Sequence, residues 1–168
     1  MGSSVRPVPN APALLIEPDA GGPRTLVVAD VHLGLGGTPD RPEGPPEGSA
    51  GSLAGRLRDL AARTGAARLV IAGDVKHPIV GTPPGLRRVV FDFFRTLLAA
   101  GLEVDVVLGN HDVGLVRYLP REVHVHAATG AVVDGVGIFH GHTWPTNVVL
   151  RAPTLVVGHL HPGFRLAP

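Results

Sequence analysis

Short apolar runs of four or five residues recur along the chain, and they are rich in valine, leucine and isoleucine. Runs of this length and composition are typical of β-strands buried on both faces. The predicted strands lie at residues 25–29, 68–72, 104–108, 136–139 and 154–157. A side chain that can bind a metal ion follows each of them, directly or after one glycine. Because open α/β sheets bind ligands at the carboxyl ends of their strands, we expect five functional segments at one edge of a sheet.

Apolar residues between the strands recur with the period of an α-helix. One amphipathic stretch covers residues 52–64 and stops at Gly65, and a stronger one follows Pro84 and ends at Gly101. Residues 147–150 fit a short helical turn. Alternation of strands and helices favours an α/β fold.

Two further segments, at residues 123–125 and 131–133, are predicted to form short strands of a second sheet that packs on the first. Glycine and proline, at 23 and 17 residues, cluster near the N-terminus and between the motifs, where they indicate loops. The segment 34–51 is predicted to be a long loop directly after the first motif.

Length and composition narrow the protein class. A chain of 168 residues fits a single domain spanning residues 1–168. The formal charge of +1 is not the strongly basic charge expected of a protein that binds nucleic acid, although bound cations would add positive charge locally. The absence of cysteine excludes disulfides and thiolate zinc sites. Without an apolar run of about 20 residues or a signal peptide pattern, a cytoplasmic enzyme with no membrane partner is expected.

Aspartate, asparagine and histidine follow the predicted strands in a mixed set of oxygen and nitrogen donors. The motifs are Asp30-Val31-His32, Gly73-Asp74, Gly109-Asn110-His111-Asp112, His140-Gly141-His142 and Gly158-His159-Leu160-His161. Residues i and i+2 of a strand point to the same side, and an amide oxygen suits a hard cation. The candidate metal ligands are Asp30, His32, Asp74, Asn110, His140, His159 and His161.

Two residues of the third motif are candidates for catalysis. His111 follows the ligand Asn110, so its ring is free to donate a proton or hold a phosphoryl oxygen. Asp112 is predicted to orient that imidazole by a hydrogen bond. The other histidines are less clearly assigned: His77 and His142 are placed near the site or in the layer behind it, and the pair His124 and His126 on a solvent-exposed strand face.

The donor set suits two divalent cations, with manganese as the first choice and iron, zinc or magnesium as alternatives. Two cations about 3.5–4 Å apart can hold a phosphate and activate a hydroxide for in-line attack.

The order of these motifs resembles the calcineurin-like metallophosphoesterase superfamily over residues 25–164. The segments 29–34, 73–77 and 158–162 are similar to one branch, the predicted phosphoesterases related to the nuclease subunit of double-strand break repair. The resemblance implies a two-sheet α/β/β/α sandwich. It also implies one metal held by Asp30, His32, Asp74 and His161, and a second held by Asp74, Asn110, His140 and His159. Asp74 would bridge the metals, and His111 would act as the acid or stabilise the transition state.

The chain departs from the family pattern after the last motif, because related chains continue further and this one ends at Pro168. We therefore expect a second sheet that is shortened at its C-terminal side. An oligomer formed through an exposed sheet edge is left open.

The expected activity is hydrolysis of a phosphoester by a metal-bound hydroxide, in a phosphodiesterase or nuclease-related enzyme acting on nucleotides or DNA. A phosphomonoesterase is the first alternative. A non-catalytic metal-binding module of the same fold that recruits partners is the second. Candidate phosphate contacts are Lys76, Arg87, Arg88 and Arg117, although solvation at the surface is the more common fate of such residues.

Overall fold

The computed structural model describes residues 2–36 and 50–161 of the chain. Most of the predicted loop 34–51 lies outside the described residues. Within the described part, no helix is both long and apolar enough to cross a membrane.

A six-stranded sheet forms the centre of the structure, in the spatial order β1-β2-β3-β4-β5-β6. Its strands are β1 (Ser3–Pro7), β2 (Leu14–Pro18), β3 (Arg24–Val28), β4 (Ala66–Ala72), β5 (Glu103–Val107) and β6 (His124–His126). The strands from β3 to β6 are parallel, whereas β1 and β2 add to the edge as an antiparallel pair. The predicted strands at 25–29, 68–72 and 104–108 are confirmed as β3, β4 and β5.

Two expectations about this sheet were wrong. The N-terminal region was predicted to be loop, but it forms β1 and β2, and Leu15 and Ile16 of β2 are fully buried. The segment predicted at 123–125 was placed in the second sheet, but as β6 it pairs with β5 in the first. Short strands carry little periodicity of their own, so tertiary pairing decides where they lie.

The second sheet has three strands within the described residues, in the order β7-β8-β9. They are β7 (Ala131–Val133), β8 (Val136–Phe139) and β9 (Thr154–Val157). A two-residue turn at Asp134 and Gly135, both with positive φ, joins β7 to β8, as favoured hairpin turns require. The last strand, β9, runs parallel to β8 and leaves Leu155 and Val157 partly exposed.

In the described part of the chain, three helices complete the layers: α1 (Ala50–Thr64), α2 (Pro84–Ala99) and α3 (Asn147–Leu150), with a 3-10 turn at Leu115–Tyr118. The predicted helices are confirmed. Helices α1 and α2 cover one face of the six-stranded sheet with buried leucine and phenylalanine side chains. The short helix α3 packs on the outer face of β8, where Gly137 leaves room for the backbone of Val149.

A separate apolar core lies between the two sheets. Ile16, Val27, Val70 and Val107 come from the first sheet, and Val133, Val136, Ile138 and Val156 come from the second. The layers are therefore helix, sheet, sheet and helix, which confirms the two-sheet α/β/β/α sandwich. The five functional segments do not share one sheet as first expected, because three follow strands of the first sheet and two follow strands of the second.

Candidate metal centre

The backbone turns back on itself at the strand ends that carry the predicted ligands. Five of the seven predicted ligands have positive φ angles: Asp30 (54°), His32 (47°), Asp74 (55°), His159 (68°) and His161 (39°). A non-glycine residue in this region costs roughly 1–3 kcal/mol and persists only where its surroundings hold it. The i, i+2 alternation of a strand was therefore the wrong reason for convergence. Left-handed turns just beyond the strands bring these side chains together.

Backbone hydrogen bonds hold the loops after β3 and β4 against each other. The amides of Asp30 and His32 donate to the carbonyls of Gly73 (3.0 Å) and Asp74 (2.8 Å). The amide of His77 donates back to the carbonyl of Leu33 at 3.0 Å. The strained residues thus sit in a cross-linked pair of loops, which fixes their side chains in place.

The carboxylate of Asp74 lies at the centre of the site and is only 2% exposed. Its Oδ1 accepts the backbone N–H of His111 at 2.9 Å and lies 3.2 Å from Nε2 of His140. Its Oδ2 lies 3.7 Å from Nε2 of His32 and 3.8 Å from Nε2 of His111. The two oxygens therefore face different histidines. Gly109 permits this packing, since a Cβ there would overlap Asp74.

His140 is fully buried and its orientation is fixed. Its Nδ1 lies 2.9 Å from the carbonyl of Ala72, so in the neutral ring Nδ1 carries the proton and donates to that oxygen. Its Nε2 then directs a lone pair toward Asp74 Oδ1 (3.2 Å) and Asn110 Oδ1 (3.1 Å). Three acceptor atoms that converge in this way repel one another unless a cation or a proton lies between them.

Two groups made only of predicted ligands have ligand atoms close enough to share an ion. Within each group the ligand atoms all lie within 4.8 Å of one another, and the groups are Asp30, His32, His161 and Asp74, His140, His159. Asp30 links the two groups, because its carboxylate lies 3.4 Å from Nε2 of His161 and accepts the backbone N–H of His159 at 3.1 Å. With Asn110 beside His140, all seven predicted ligands are gathered at one place.

The chemistry of this donor set fits divalent cations. Burial lowers the pKa of His32, against the opposing effect of Asp74, so its ring favours the neutral form that can bind a metal. The Nδ1 atoms of His32 and His77 are buried and have no hydrogen-bond partner among the described residues. Buried polar atoms are rarely left unsatisfied, so an ion or an ordered water at this point would complete the site.

His111 lies at the open side of the cluster and is partly exposed. Its Nδ1 contacts the carbonyl of His77, and its ring centre lies 4.8 Å from that of His32. With Nδ1 occupied by a carbonyl, Nε2 is the nitrogen that remains for a bound molecule.

The expected hydrogen bond from Asp112 to the His111 ring is corrected by the structure. Asp112 is 3% exposed, and its oxygens accept the backbone N–H groups of Val75 (2.9 Å), Lys76 (3.4 Å) and Gly109 (2.9 Å). Burial raises the pKa of Asp112, although these backbone bonds oppose the shift. Asp112 therefore ties the loop that carries Asp74 to the loop that carries Asn110.

His77 and His142 both lie next to the predicted ligands. The ring of His77 is 5.4 Å from that of His32 and 5.8 Å from that of His111, and these three form a further group able to hold an ion. The ring of His142 is 5.3 Å from that of His140, and burial lowers its pKa. The sequence signal for both was their position, because His77 follows Asp74 by three residues and His142 follows His140 by two.

Lys76 was predicted to be a phosphate contact, and this was wrong. Its side chain is fully buried, and Nζ donates to the carbonyls of Pro78 and Ile79. Burial also lowers its pKa. Of the predicted arginines, Arg87 donates to the Thr82 carbonyl at 2.8 Å, and the side chain of Arg88 is 86% exposed near Asp92.

A further buried acid, Asp105, lies in β5 on the face toward the second sheet. Asp105 receives two hydrogen bonds from Arg68, at 2.7 and 2.8 Å, and its Oδ1 lies 2.6 Å from Nε2 of His126. We call these three residues the Asp105 cluster. The prediction that His126 shares a solvent-exposed face with His124 was wrong for His126, which turns to this carboxylate.

Comparison with known proteins identifies a similar fold. No protein-family model matches the chain, and no curated protein matches its sequence. The structure is similar to the crystal structure of the Pseudomonas putida nuclease MPE, with a TM-score of 0.61 and 23% sequence identity. The match covers 97% of this chain and 76% of that chain. The likeness establishes a shared architecture with a nuclease.

Proposed function

We propose that this protein is a metal-dependent phosphodiesterase of nuclease type, with a dinuclear centre bridged by Asp74. One observation carries the proposal: the two oxygens of a single buried carboxylate face two different sets of ligands, His32 on one side and His140 on the other. A structural site for one cation would not need this divided arrangement.

The first cation would be held by Asp30, His32, Asp74 and His161, and the second by Asp74, Asn110, His140 and His159. The two compact groups of ligand atoms support this division. Nitrogen and oxygen donors without thiolate favour manganese, with iron, zinc or magnesium as alternatives. When bound, such cations polarise the phosphoryl oxygens and lower the pKa of a water molecule that attacks phosphorus.

His111 would act on the leaving group. Its Nδ1 contact with the His77 carbonyl fixes the ring, and Nε2, 3.8 Å from Oδ2 of Asp74, is the nitrogen left for a group bound at the proposed cations. In the protonated ring, Nε2–H would donate its proton to the leaving oxygen as the phosphorus–oxygen bond breaks. A positioned general acid typically contributes about a hundredfold to ten-thousandfold in rate.

The substrate class is proposed from the fold neighbour, which is a nuclease. Nucleic acid or nucleotide diesters are the first choice. The net charge of +1 offers little attraction for a polyanion, so the bound cations would provide most of the local positive charge.

The proposal is tested by hydrolysis of a chromogenic phosphodiester and the corresponding monoester with added manganese. The intact protein is compared with His111→Ala and with Asp92→Asn, an exposed acid on α2 that serves as control. We expect diester turnover that depends on manganese, falls at least about a hundredfold in His111→Ala and is unchanged in Asp92→Asn.

The remaining outcomes separate the alternatives. Faster turnover of the monoester would identify a phosphomonoesterase. Failure to hydrolyse either compound or single-stranded DNA, with two bound metal ions verified by elemental analysis, would support a non-catalytic binding module.

A further inference from the structure

We propose that Trp144 is a stacking platform for a nucleobase adjacent to the scissile phosphate, an inference that rests on the proposed phosphodiesterase function. The ligand would be a base of single-stranded nucleic acid, held by its face rather than by its hydrogen-bonding edge.

Trp144 is the single tryptophan of the chain, and 86% of its surface is exposed. Isolated apolar residues at a surface need no explanation. Trp144, however, lies on the segment that directly follows His140 and His142, next to the metal centre. Leu160, which is 75% exposed, lies between the predicted ligands His159 and His161 in the sequence.

A cavity of about 250 Å³ beside Trp144 extends to His142, a neighbour of the predicted ligand His140. It is lined by Phe139, Gly141, His142, Thr143, Trp144, Pro145 and Leu150. His142 lines the cavity and also lies beside the metal centre, because its ring is 5.3 Å from that of His140 and 6.3 Å from that of His159. A group bound against Trp144 would therefore be continuous with a phosphate at the cations.

The loop that carries Trp144 is anchored at both ends. At its start, the ring of His140 is bonded to the carbonyl of Ala72. At its end, the amide of Thr146 donates to the carbonyl of Thr129 at 3.1 Å, and its hydroxyl accepts the amide of Val149 at 3.3 Å. A loop backbone held in this way loses little conformational entropy when a ligand binds to it.

The lining of the cavity selects the base rather than the phosphate. It is formed mainly by aromatic and apolar groups, and its described lining residues include no arginine or lysine. Aromatic side chains stack on any base, which gives affinity with little sequence preference. The cations and His111 would meet the phosphate, and Trp144 would meet the neighbouring base.

Because Trp144 is the sole tryptophan, its fluorescence reports directly on stacking. We would titrate manganese-loaded His111→Ala protein with oligothymidylate of about eight nucleotides, a length within the range of known single-strand sites. A matched oligomer of abasic sugar and phosphate has the same charge without bases. We expect oligothymidylate to quench the emission and the abasic oligomer to leave it largely unchanged.

Kinetics provide a second readout. Trp144→Ala should raise KM for oligothymidylate by about ten- to a hundredfold, the size of one base-on-aromatic stack, with little change in kcat. Trp144→Phe should stay within about threefold of the intact protein because stacking is retained. Phe91→Ala, which removes a half-exposed aromatic ring on α2, is the matched control and should have no effect.

Equal quenching by both oligomers, or an unchanged KM in Trp144→Ala, would overturn the inference. Binding of labelled oligothymidylate seen by anisotropy without any change in tryptophan emission would overturn it too. In each case the intact protein would still hydrolyse the chromogenic diester. Loss of that hydrolysis as well would mean that the proposed function itself had failed.

Discussion

Two buried aspartates in neighbouring parts of the first sheet have opposite surroundings. Asp105 lies inside a strand and is paired at 2.6–2.8 Å with Arg68 and His126. Asp74 lies just beyond a strand with a φ of 55° and is within 4 Å of three histidine rings. Among the described residues, the one backbone N–H that its carboxylate accepts is that of His111.

The difference separates a site built for stability from one built for a ligand. In the Asp105 cluster, each charged group is paired through a hydrogen bond, and the backbone has ordinary strand geometry. Around Asp74, several backbone conformations are strained, and the converging acceptor atoms need a cation or a proton between them. Proximity of aspartate and histidine is therefore a weaker sign of a metal centre than backbone strain combined with acceptor atoms that have no hydrogen-bond donor.

The largest effect is expected from Asp74→Asn. The asparagine oxygen can still accept the His111 amide, but the bridging charge is lost. We expect hydrolysis of the chromogenic diester to fall by about a thousandfold, since bound cations contribute several kcal/mol to catalysis. Asp92→Asn serves as control, and a fall of less than about tenfold in Asp74→Asn would contradict the bridging role.

Asp105→Asn should affect stability instead. It leaves Arg68 without the carboxylate of Asp105. We expect a loss of about 2–3 kcal/mol in the free energy of unfolding, which is less than for a fully buried ion pair because Arg68 is partly exposed. Urea unfolding of metal-free protein measures this loss. Asp74→Asn should change it by less than about 1 kcal/mol, because its oxygen keeps the backbone bond. A larger loss in Asp74→Asn than in Asp105→Asn would reverse the comparison.

The contribution of Asp105 depends on pH in a predictable direction. Burial alone would raise its pKa, but the bonds from Arg68 and His126 outweigh burial and lower it below its ordinary value of 3.8. A group whose pKa is lowered by folding stabilises fully above its ordinary value and loses that contribution as pH falls through the folded value. The difference between intact protein and Asp105→Asn should therefore persist from pH 7 to about 5 and shrink below pH 4.

Gly73→Ala tests whether the backbone positions the ligands. Gly73 has a φ of 89°, and a Cβ there would overlap the ring of His140. We expect manganese affinity to fall by about ten- to a hundredfold, as for the loss of groups that orient a ligand. Gly81→Ala is the matched control, because Gly81 has a φ of 73° with nothing within 4 Å. Calorimetric titration with manganese should leave Gly81→Ala close to the intact protein.

The smallest effect is expected from His126→Asn. Asp105 keeps both bonds from Arg68 and loses one neighbour, so we expect a cost of about 1 kcal/mol in the free energy of unfolding. His124→Asn, on the same strand but exposed, should cost less than about 0.5 kcal/mol. Equal effects would place His126 outside the Asp105 cluster.

The elements with strong periodicity were predictable from sequence, and the weak ones were not. Apolar runs long enough to be recognised in the sequence occur in strands β3, β4 and β5 and in helices α1 and α2. Strand β1 has the sequence Ser-Ser-Val-Arg-Pro, which has almost no apolar signal. Sheet membership of β6 depends on pairing with β5, a contact that no local pattern reveals.

The candidate site, like the fold, could be predicted only in part from the sequence. The ligand types followed from motifs at strand ends, but their contacts depend on loops that are distant in sequence. Asp112 reaches the amide of Val75, 37 positions away, and so holds the loops instead of His111. The β5–β6 register sets Asp105 opposite His124 and Val107 opposite His126, so His126 reaches Asp105 diagonally across the strand pair.

Thermal unfolding with and without manganese tests most directly whether the Asp74 region is built for cations. A ligand at 100 times its Kd stabilises the folded state by about 2.7 kcal/mol, which is about 5–10 °C in Tm for a chain of this size. We predict such a rise for the intact protein and for Asp105→Asn, and none for Asp74→Asn. An equal rise in Asp74→Asn, or no rise in the intact protein, would contradict the account.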